Sequence, residues 1–306
     1  MVDTAAERVS SKAGRTLGRA PVVYGALLLQ VLIGAGTFLI AKRTLLEIHA
    51  FPLLAARFLL SGLLFCLILL WLPGPAVPPR RTWGRVLYLG LLAGPLNQGL
   101  LFWGLERSTP IHAALFYALT PLGVYLYALS HRQERPSRWR LLGIGVALAG
   151  VVTLLLGRGL RAALGPLVGD LFILGAVAAW AIYTAEGTIF SREHGAIRAT
   201  SWTLIAATLW TLPSVPFVLP TSGLLSASGL ALAGLIYLAV FSSVASYVLW
   251  YFALSRLGAS RVAVFANLQP VATALAARWL LGEALNWEMA LGGVLVLVGV
   301  WITQSA

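Results

Sequence analysis

The chain of 306 residues holds four histidines, ten acidic residues and one cysteine, and their spacing offers little for bond-making chemistry. His49, His112, His131 and His194 fall on separate connections or at ends of apolar runs, without the spacing that gathers metal ligands. No two carboxylates share a mid-run depth for acid–base work. Cys66 sits alone inside an apolar run, so neither a disulfide framework nor a thiolate cluster can form within one chain. No cofactor or metal is called for. The sequence does place aromatic and polar groups inside apolar stretches. Tyr117, Thr120 and Tyr125 share a helical face with Pro121, and Trp180 and Tyr183 lie at a similar depth in another stretch. Such rings suit a cavity for an organic solute, with hydroxyl and indole groups fixing its orientation; the plainer alternative is packing against helices or lipid.

Asn97 and Gln98 follow Pro95, and Asn267 and Gln269 precede Pro270, while Ser242, Ser243 and Ser246 recur along a later stretch. In hydrocarbon these groups need partners: substrate, backbone freed by a proline, or another helix. Pro95, Pro121 and Pro270 each interrupt a run near its middle, where they can act as gating hinges or as static kinks. Arg57 and Glu186 are charged residues placed about a turn or more inside runs, and a charge there is costly enough to suggest a task, Glu186 as a proton-binding coupling group for example. Both lie near enough to a run's end to snorkel or pair. Lys42 and His49 either gate or contact substrate, or anchor at the interface; Glu134 and Glu283 read as helix caps or loop-Arg partners. Trp71, Trp83, Trp139, Trp202, Trp287 and Trp301 read as an interfacial belt, and Trp103 and Trp250, also near ends, are weak cavity candidates.

The elements that must position these groups are membrane helices. Hydrophobic residues make up 59% of the chain and charged ones only 10%, far from the proportions of a soluble domain. The apolar residues fall in blocks of spanning length, approximately 21–41, 52–72, 86–105, 109–130, 141–157, 167–190, 199–219, 230–254, 262–281 and 287–304. The runs are continuous and rich in Leu, Ala and Gly, without the period-two alternation of barrel strands. The net charge of +12 lies almost wholly between the blocks, so membrane topology accounts for it without a nucleic-acid partner. With the N-terminus cytoplasmic, 15 of the 22 Lys and Arg residues fall on inside segments and 6 on outside connections, which places both termini inside. Residues 1–20 read as a basic cytoplasmic leader before a retained first helix.

Offset by 149 residues, 101–153 aligns with 250–302 without a gap, with 14 identities in 53 positions. Pro121 falls on Pro270, Glu134 on Glu283, Gly143 on Gly292 and Gly150 on Gly299. The chain therefore divides into a first five-helix repeat, 21–160, and a second, 161–306. Five being odd, the second enters the membrane from the opposite side, an inverted repeat. That is an arrangement expected of a secondary transporter, and no Walker-type ATP loop is present.

The segments GAGTFLIAK (Gly34 to Lys42), LAARFLLSGLL (Leu54 to Leu64), WAIY (Trp180 to Tyr183), SYVLWYFAL (Ser246 to Leu254) and LGASRVAVFANLQPVATALAARWLLGEAL (Leu257 to Leu285) resemble the EamA branch of the drug/metabolite transporter superfamily. The likeness runs over nearly the full length. It implies ten helices and export of small metabolites, notably amino acids, through a central cavity of a bacterial inner-membrane protein. The expectation is a monomeric exporter working by alternating access in the lipid bilayer. The alternatives are multidrug or organic-cation efflux, for which a mid-depth carboxylate such as Glu186 would serve; an intramembrane enzyme acting on lipid-linked substrates; and a passive channel.

Overall fold

A computed structural model of the chain describes residues 20–131, 137–156, 164–218, 224–280, 282 and 286–305. The leader, Glu134 and Glu283 lie outside the described residues. Among those described the regular structure is helical throughout: α1 (Ala20–Thr44), α2 (Ala50–Trp71), α3 (Arg80–Arg107), α4 (Pro110–Ser130), α5 (Arg138–Leu156), α6 (Leu164–His194), α7 (Ala196–Thr211), α8 (Gly229–Leu257), α9 (residues 259–280) and α10 (Trp287–Ser305). Six of these, α1, α2, α3, α4, α6 and α8, are long and apolar enough to cross a membrane. Their outward faces carry exposed Leu, Val and Trp, as at Val22, Leu70 and Trp71, as lipid-facing surfaces do.

Local chemistry sets the ends. Thr109 caps α4, its hydroxyl accepting from the His112 amide at 3.3 Å, with Pro110 at the first helical position. Gly195 and Gly258, at φ +79° and +87°, turn the chain sharply out of α6 and α8, a backbone region that costs other residues more. Two ends extend past the expected spans. Helix α3 opens with a 3-10 turn at Arg80, and α6 runs on to His194, which places Glu186 about two turns inside it.

Four helices have irregular interiors. α3 and α8 each contain an eight-residue π-helical segment, Leu92–Gly99 and Leu238–Ala245. Pro95 lies in the first, where its missing N–H disrupts the ordinary ladder; in the second the Ser243 hydroxyl donates to the Leu238 carbonyl five residues back at 3.1 Å. Helix α4 breaks at Ala118 and Leu119, just before Pro121, and the Thr120 hydroxyl takes up the Tyr117 carbonyl at 2.6 Å. Helix α9 passes through a 3-10 stretch, Val264–Leu268, just before Pro270.

Small residues bring the helices together, as close packing in a bilayer requires. A Cβ on Gly143 would lie 2.6 Å from the Gly299 carbonyl, and one on Gly150 would lie 2.7 Å from the Gly292 carbonyl, so α5 and α10 meet backbone on backbone. Gly104 of α3 and Gly169 of α6 stand in the same relation. Gly62 of α2 makes room for Thr208 of α7, whose hydroxyl donates to the Phe58 carbonyl at 2.8 Å.

Candidate functional site

Six helices converge on one buried cavity. α1 supplies Gln30, Gly34, Thr37 and Phe38; α3 supplies Asn97, Gln98 and Leu101; α4 supplies Tyr117. From the other side come Trp180 of α6, Ser242, Ser246, Tyr247 and Trp250 of α8, and Ala266 and Gln269 of α9. The irregular segments of α3, α4, α8 and α9 all border it, alongside the uninterrupted α1 and α6. Gly34 has a steric reason: a Cβ there would lie 2.2 Å from the Gln269 amide nitrogen. The cavity measures about 50 Å3, room for a few waters and well below the roughly 300–1,000 Å3 of small-molecule pockets. A solute of amino-acid size therefore requires the helices around it to part.

One wall is aromatic. Trp180 packs on Tyr183, Tyr247 and Trp250 with ring centroids 5.3–5.4 Å apart, and Tyr183 stacks on Tyr251 at 5.1 Å. The Trp250 indole donates to the Thr184 hydroxyl at 3.2 Å, and the Phe38 ring lies 5.2 Å from that of Tyr117. Rings buttressed in this way hold their orientation and give a solute a rigid apolar face.

A second part of the lining is polar and rests on Arg57, which is completely buried. Its guanidinium donates to the Ser243 hydroxyl at 2.7 Å, the Gln98 carbonyl oxygen at 2.5 Å and the Ser242 hydroxyl at 2.9 Å. The Phe58 and Phe102 rings lie 5.8 and 5.3 Å from it. Among the described residues no carboxylate is within ion-pair distance of it. Gln98 donates to Asn97 at 2.5 Å, and Asn97 donates to the Tyr117 hydroxyl at 2.7 Å and the Ala176 carbonyl at 2.8 Å. The Tyr247 hydroxyl donates to the Ala93 carbonyl at 3.1 Å. Gln30 donates to Ser246 at 3.3 Å, while its own amide oxygen is buried with no partner among the described residues.

The cavity thus gathers Tyr117, Trp180, Asn97, Gln98 and Gln269 of the residues singled out in the sequence. Tyr183 stands behind Trp180, Thr120 is occupied at the α4 break, and Tyr125 and Asn267 are not lining residues. Pro95, Pro121 and Pro270 mark the irregular segments rather than the walls. Glu186 faces away from the cavity, 3.4 Å from Arg85 and accepting from the Tyr127 hydroxyl. Lys42 donates to the Leu105 and Ser108 carbonyls at 2.7 and 2.8 Å, tying α1 to the α3–α4 turn. His49 is exposed and 3.7 Å from Glu106.

Three features escaped the sequence reading. Gln30 and Tyr247 line the cavity, and Trp250, read as near a helix end, is among the most deeply buried side chains. Trp202, read as interfacial, is buried and donates to the Ala76 carbonyl at 2.7 Å. Asp170 is fully buried between Ser108 and His112, 3.0 Å from the His112 ring. An aspartate inside an apolar run was its available signal.

Comparison with known proteins bears on the same architecture. The profile of the EamA-like transporter family matches residues 22–156 and 167–304. An uncharacterized transporter of Archaeoglobus fulgidus is 30% identical over 285 residues, covering 91% of this chain and 96% of its own. A protein of Salmonella typhimurium named "Probable amino-acid metabolite efflux pump" is 27% identical over 299 residues, covering 90% of this chain and 92% of its own. A solved crystal structure superposes with a TM-score of 0.64 at 19% identity over 94% of this chain and 97% of that one, a likeness of fold.

Proposed function

This chain belongs to the EamA-like transporter family, a multi-pass integral protein of the cytoplasmic (inner) membrane, and we propose that it is a secondary transporter that exports amino acids or related small metabolites by alternating access. In this reading ten spans form two inverted five-helix repeats, 21–160 and 161–306, with both termini cytoplasmic, and the monomer is the working unit. The observation that carries it is the position of the cavity: α1, α3 and α4 line it from one repeat and α6, α8 and α9 from the other. A site between two inverted halves is reached from either side as the halves rock.

The helix interiors support the same division. The third helix of each half carries a π segment and the fourth an irregular stretch just before its matched proline. The glycine pairs aligned in sequence meet reciprocally in space, Gly143 on Gly299 and Gly150 on Gly292, as a two-fold relation demands. The name of the Salmonella relative supports amino acids as the cargo. Organic-cation efflux is less well supported: among the described residues no carboxylate lines the cavity, and Glu186 pairs with Arg85.

Proteoliposomes preloaded with an amino-acid mixture test the reading. Saturable release of particular amino acids above empty liposomes, reduced by about tenfold or more in Trp180→Ala through loss of the aromatic wall, is the expected result. Release that responds to an imposed pH gradient would add proton coupling. No release from folded, monodisperse protein overturns the amino-acid assignment.

A further inference from the structure

The orientation of the polar wall is fixed at both ends by groups with only one hydrogen-bonding role. A guanidinium can only donate, so the Gln98 atom 2.5 Å from Arg57 is the carbonyl oxygen, which turns the Gln98 NH2 toward Asn97. A backbone carbonyl can only accept, so the Asn97 atom 2.8 Å from Ala176 is the amide nitrogen, which turns the Asn97 oxygen toward Gln98. The two constraints agree, and they leave one direction for the chain: Arg57 to Gln98 to Asn97 to Tyr117. The Tyr117 hydroxyl accepts from Asn97, and among the described residues its own proton has no acceptor. Tyr117 and Gln98 line the cavity, as does Ser242, whose hydroxyl oxygen also accepts from Arg57 and so turns its proton away from the guanidinium. A buried positive charge with no carboxylate beside it therefore reaches the cavity as hydrogen-bond donors. Each donor is polarised by the bond behind it.

We propose that Arg57 is the specificity-determining charge of this transporter and that, acting through Gln98, Asn97 and Ser242 as a positioning residue, it makes the Tyr117 end of the cavity a subsite for a carboxylate. This rests on the reading of the cavity as the transport site, and it names which end of the solute is held there. The physical reason is compensation. A charge buried within the membrane-spanning helices is costly, neutral hydroxyl and amide acceptors offset part of that, and an anion arriving in the same low-dielectric space offsets more. The same field opposes an organic cation, so discrimination comes from repulsion as well as attraction.

The test uses the full-length protein in detergent and in liposomes. Binding is read from the fluorescence of the cavity tryptophans, and transport from counterflow. The probes are a neutral amino acid, its amide and methyl ester, the corresponding amine, and simple monocarboxylates without an amino group. The expected result is that carboxylate-bearing probes bind at least about tenfold more tightly than their carboxyl-blocked counterparts, the scale of one lost charge-assisted hydrogen bond. Tyr117→Phe, which keeps the ring and removes the donor, should reduce that ratio toward one by raising the apparent Kd for carboxylates alone. Arg57→Lys should retain most of the preference and Arg57→Met should lose it; if the Met variant does not fold, the Tyr117→Phe ratio decides.

Amino acids failing while monocarboxylates bind with the same dependence on Tyr117 would overturn amino-acid export and leave the carboxylate subsite standing. Equal affinity for blocked and free forms in the wild type, a preference for the amine, or no binding of any carboxylate probe would overturn the subsite.

Discussion

Glu47, in the turn after α1, accepts hydrogen bonds from the Ser228 amide and hydroxyl, both at 2.8 Å, and Ser228 in turn caps α8 by accepting from the Ala231 amide at 3.2 Å. The Ser228 bonds hold the Glu47 carboxyl below the usual carboxylate range, with Arg43 adding a smaller pull in the same direction. A carboxylate with a depressed folded value contributes its stability above its unfolded value and loses it as the pH falls through the folded one. The thermal unfolding midpoint of the wild type should therefore exceed that of Glu47→Ala at neutral pH, by a small margin because the group is exposed, and the two should converge as the pH is lowered below the usual carboxylate range; a constant difference down to strong acid would refute the assignment. Side-chain roles of this kind were only partly legible in the sequence. Tyr117, Trp180, Asn97, Gln98 and Gln269 could be singled out because a ring or an amide inside an apolar run is conspicuous. Arg57 was read as able to snorkel because its depth was judged along one helix, whereas Gln98 of α3 and Ser242 and Ser243 of α8, which satisfy its donors, come from 41 to 186 residues away. Asp170 lies inside the sixth apolar block, and its partners Ser108 and His112 come from across a helix interface 58 to 62 residues away, so nothing local along the chain marks its role.

Helices were the more legible scale, since apolar blocks of spanning length and their Pro, Gly and Arg boundaries are local features. The interiors were legible only where a proline marks them. Pro95, Pro121 and Pro270 lie at or just beyond irregular segments, but the π segment of α8 contains no proline, and nothing local in LAVFSSVA distinguishes it from an ordinary turn of helix. Its counterpart in α3 does, so the match becomes visible through the repeat. Glycines behave likewise. Their abundance suggests close packing in general, while which ones are sterically required depends on the neighbour: in α5 a Cβ on Gly143 would meet the Gly299 carbonyl at 2.6 Å, whereas one on Gly145 would meet nothing within 4 Å. Backbone cannot move aside as a side chain can, so Gly143→Ala should separate α5 from α10 and destabilise the protein by about 1–3 kcal/mol. Gly145→Ala, on the same helix, should be neutral or stabilising by up to about 1 kcal/mol through helix propensity. Apparent melting temperatures in one detergent measure both. Equal losses at the two sites would mean that the α5–α10 approach is not the contact that holds these helices together.

At the scale of the whole molecule, the proposed inverted repeat turns a distribution of charge into a prediction about sides. His49 lies between α1 and α2, and Ile197 begins α7 just after the turn from α6, so the two occupy corresponding places in the two halves. Both are exposed. A parallel repeat would put corresponding turns on the same side of the membrane; an inverted one puts them on opposite sides, because five helices separate them. The basic residues assign the sides: 15 of the 22 Lys and Arg residues fall on the segments that include Arg81, Arg192 and Arg198 when the N-terminus is cytoplasmic. Cys66 is the single native thiol, so a Cys66→Ser background leaves no competing site. In that background His49→Cys should react with a membrane-impermeant maleimide added to intact cells, and Ile197→Cys and Arg81→Cys should react only after permeabilisation. Labelling of 49 and 197 from the same side would require an even number of crossings between them, which removes the pseudo-two-fold axis. The cavity would then lie between two unrelated halves, with no symmetry to exchange its openings. Opposite sides with the assignments reversed would keep the axis and the cavity intact while placing the termini outside, against the charge bias. The labelling pattern therefore separates the architecture on which alternating access depends from the orientation that decides which face of the membrane the carboxylate subsite first meets.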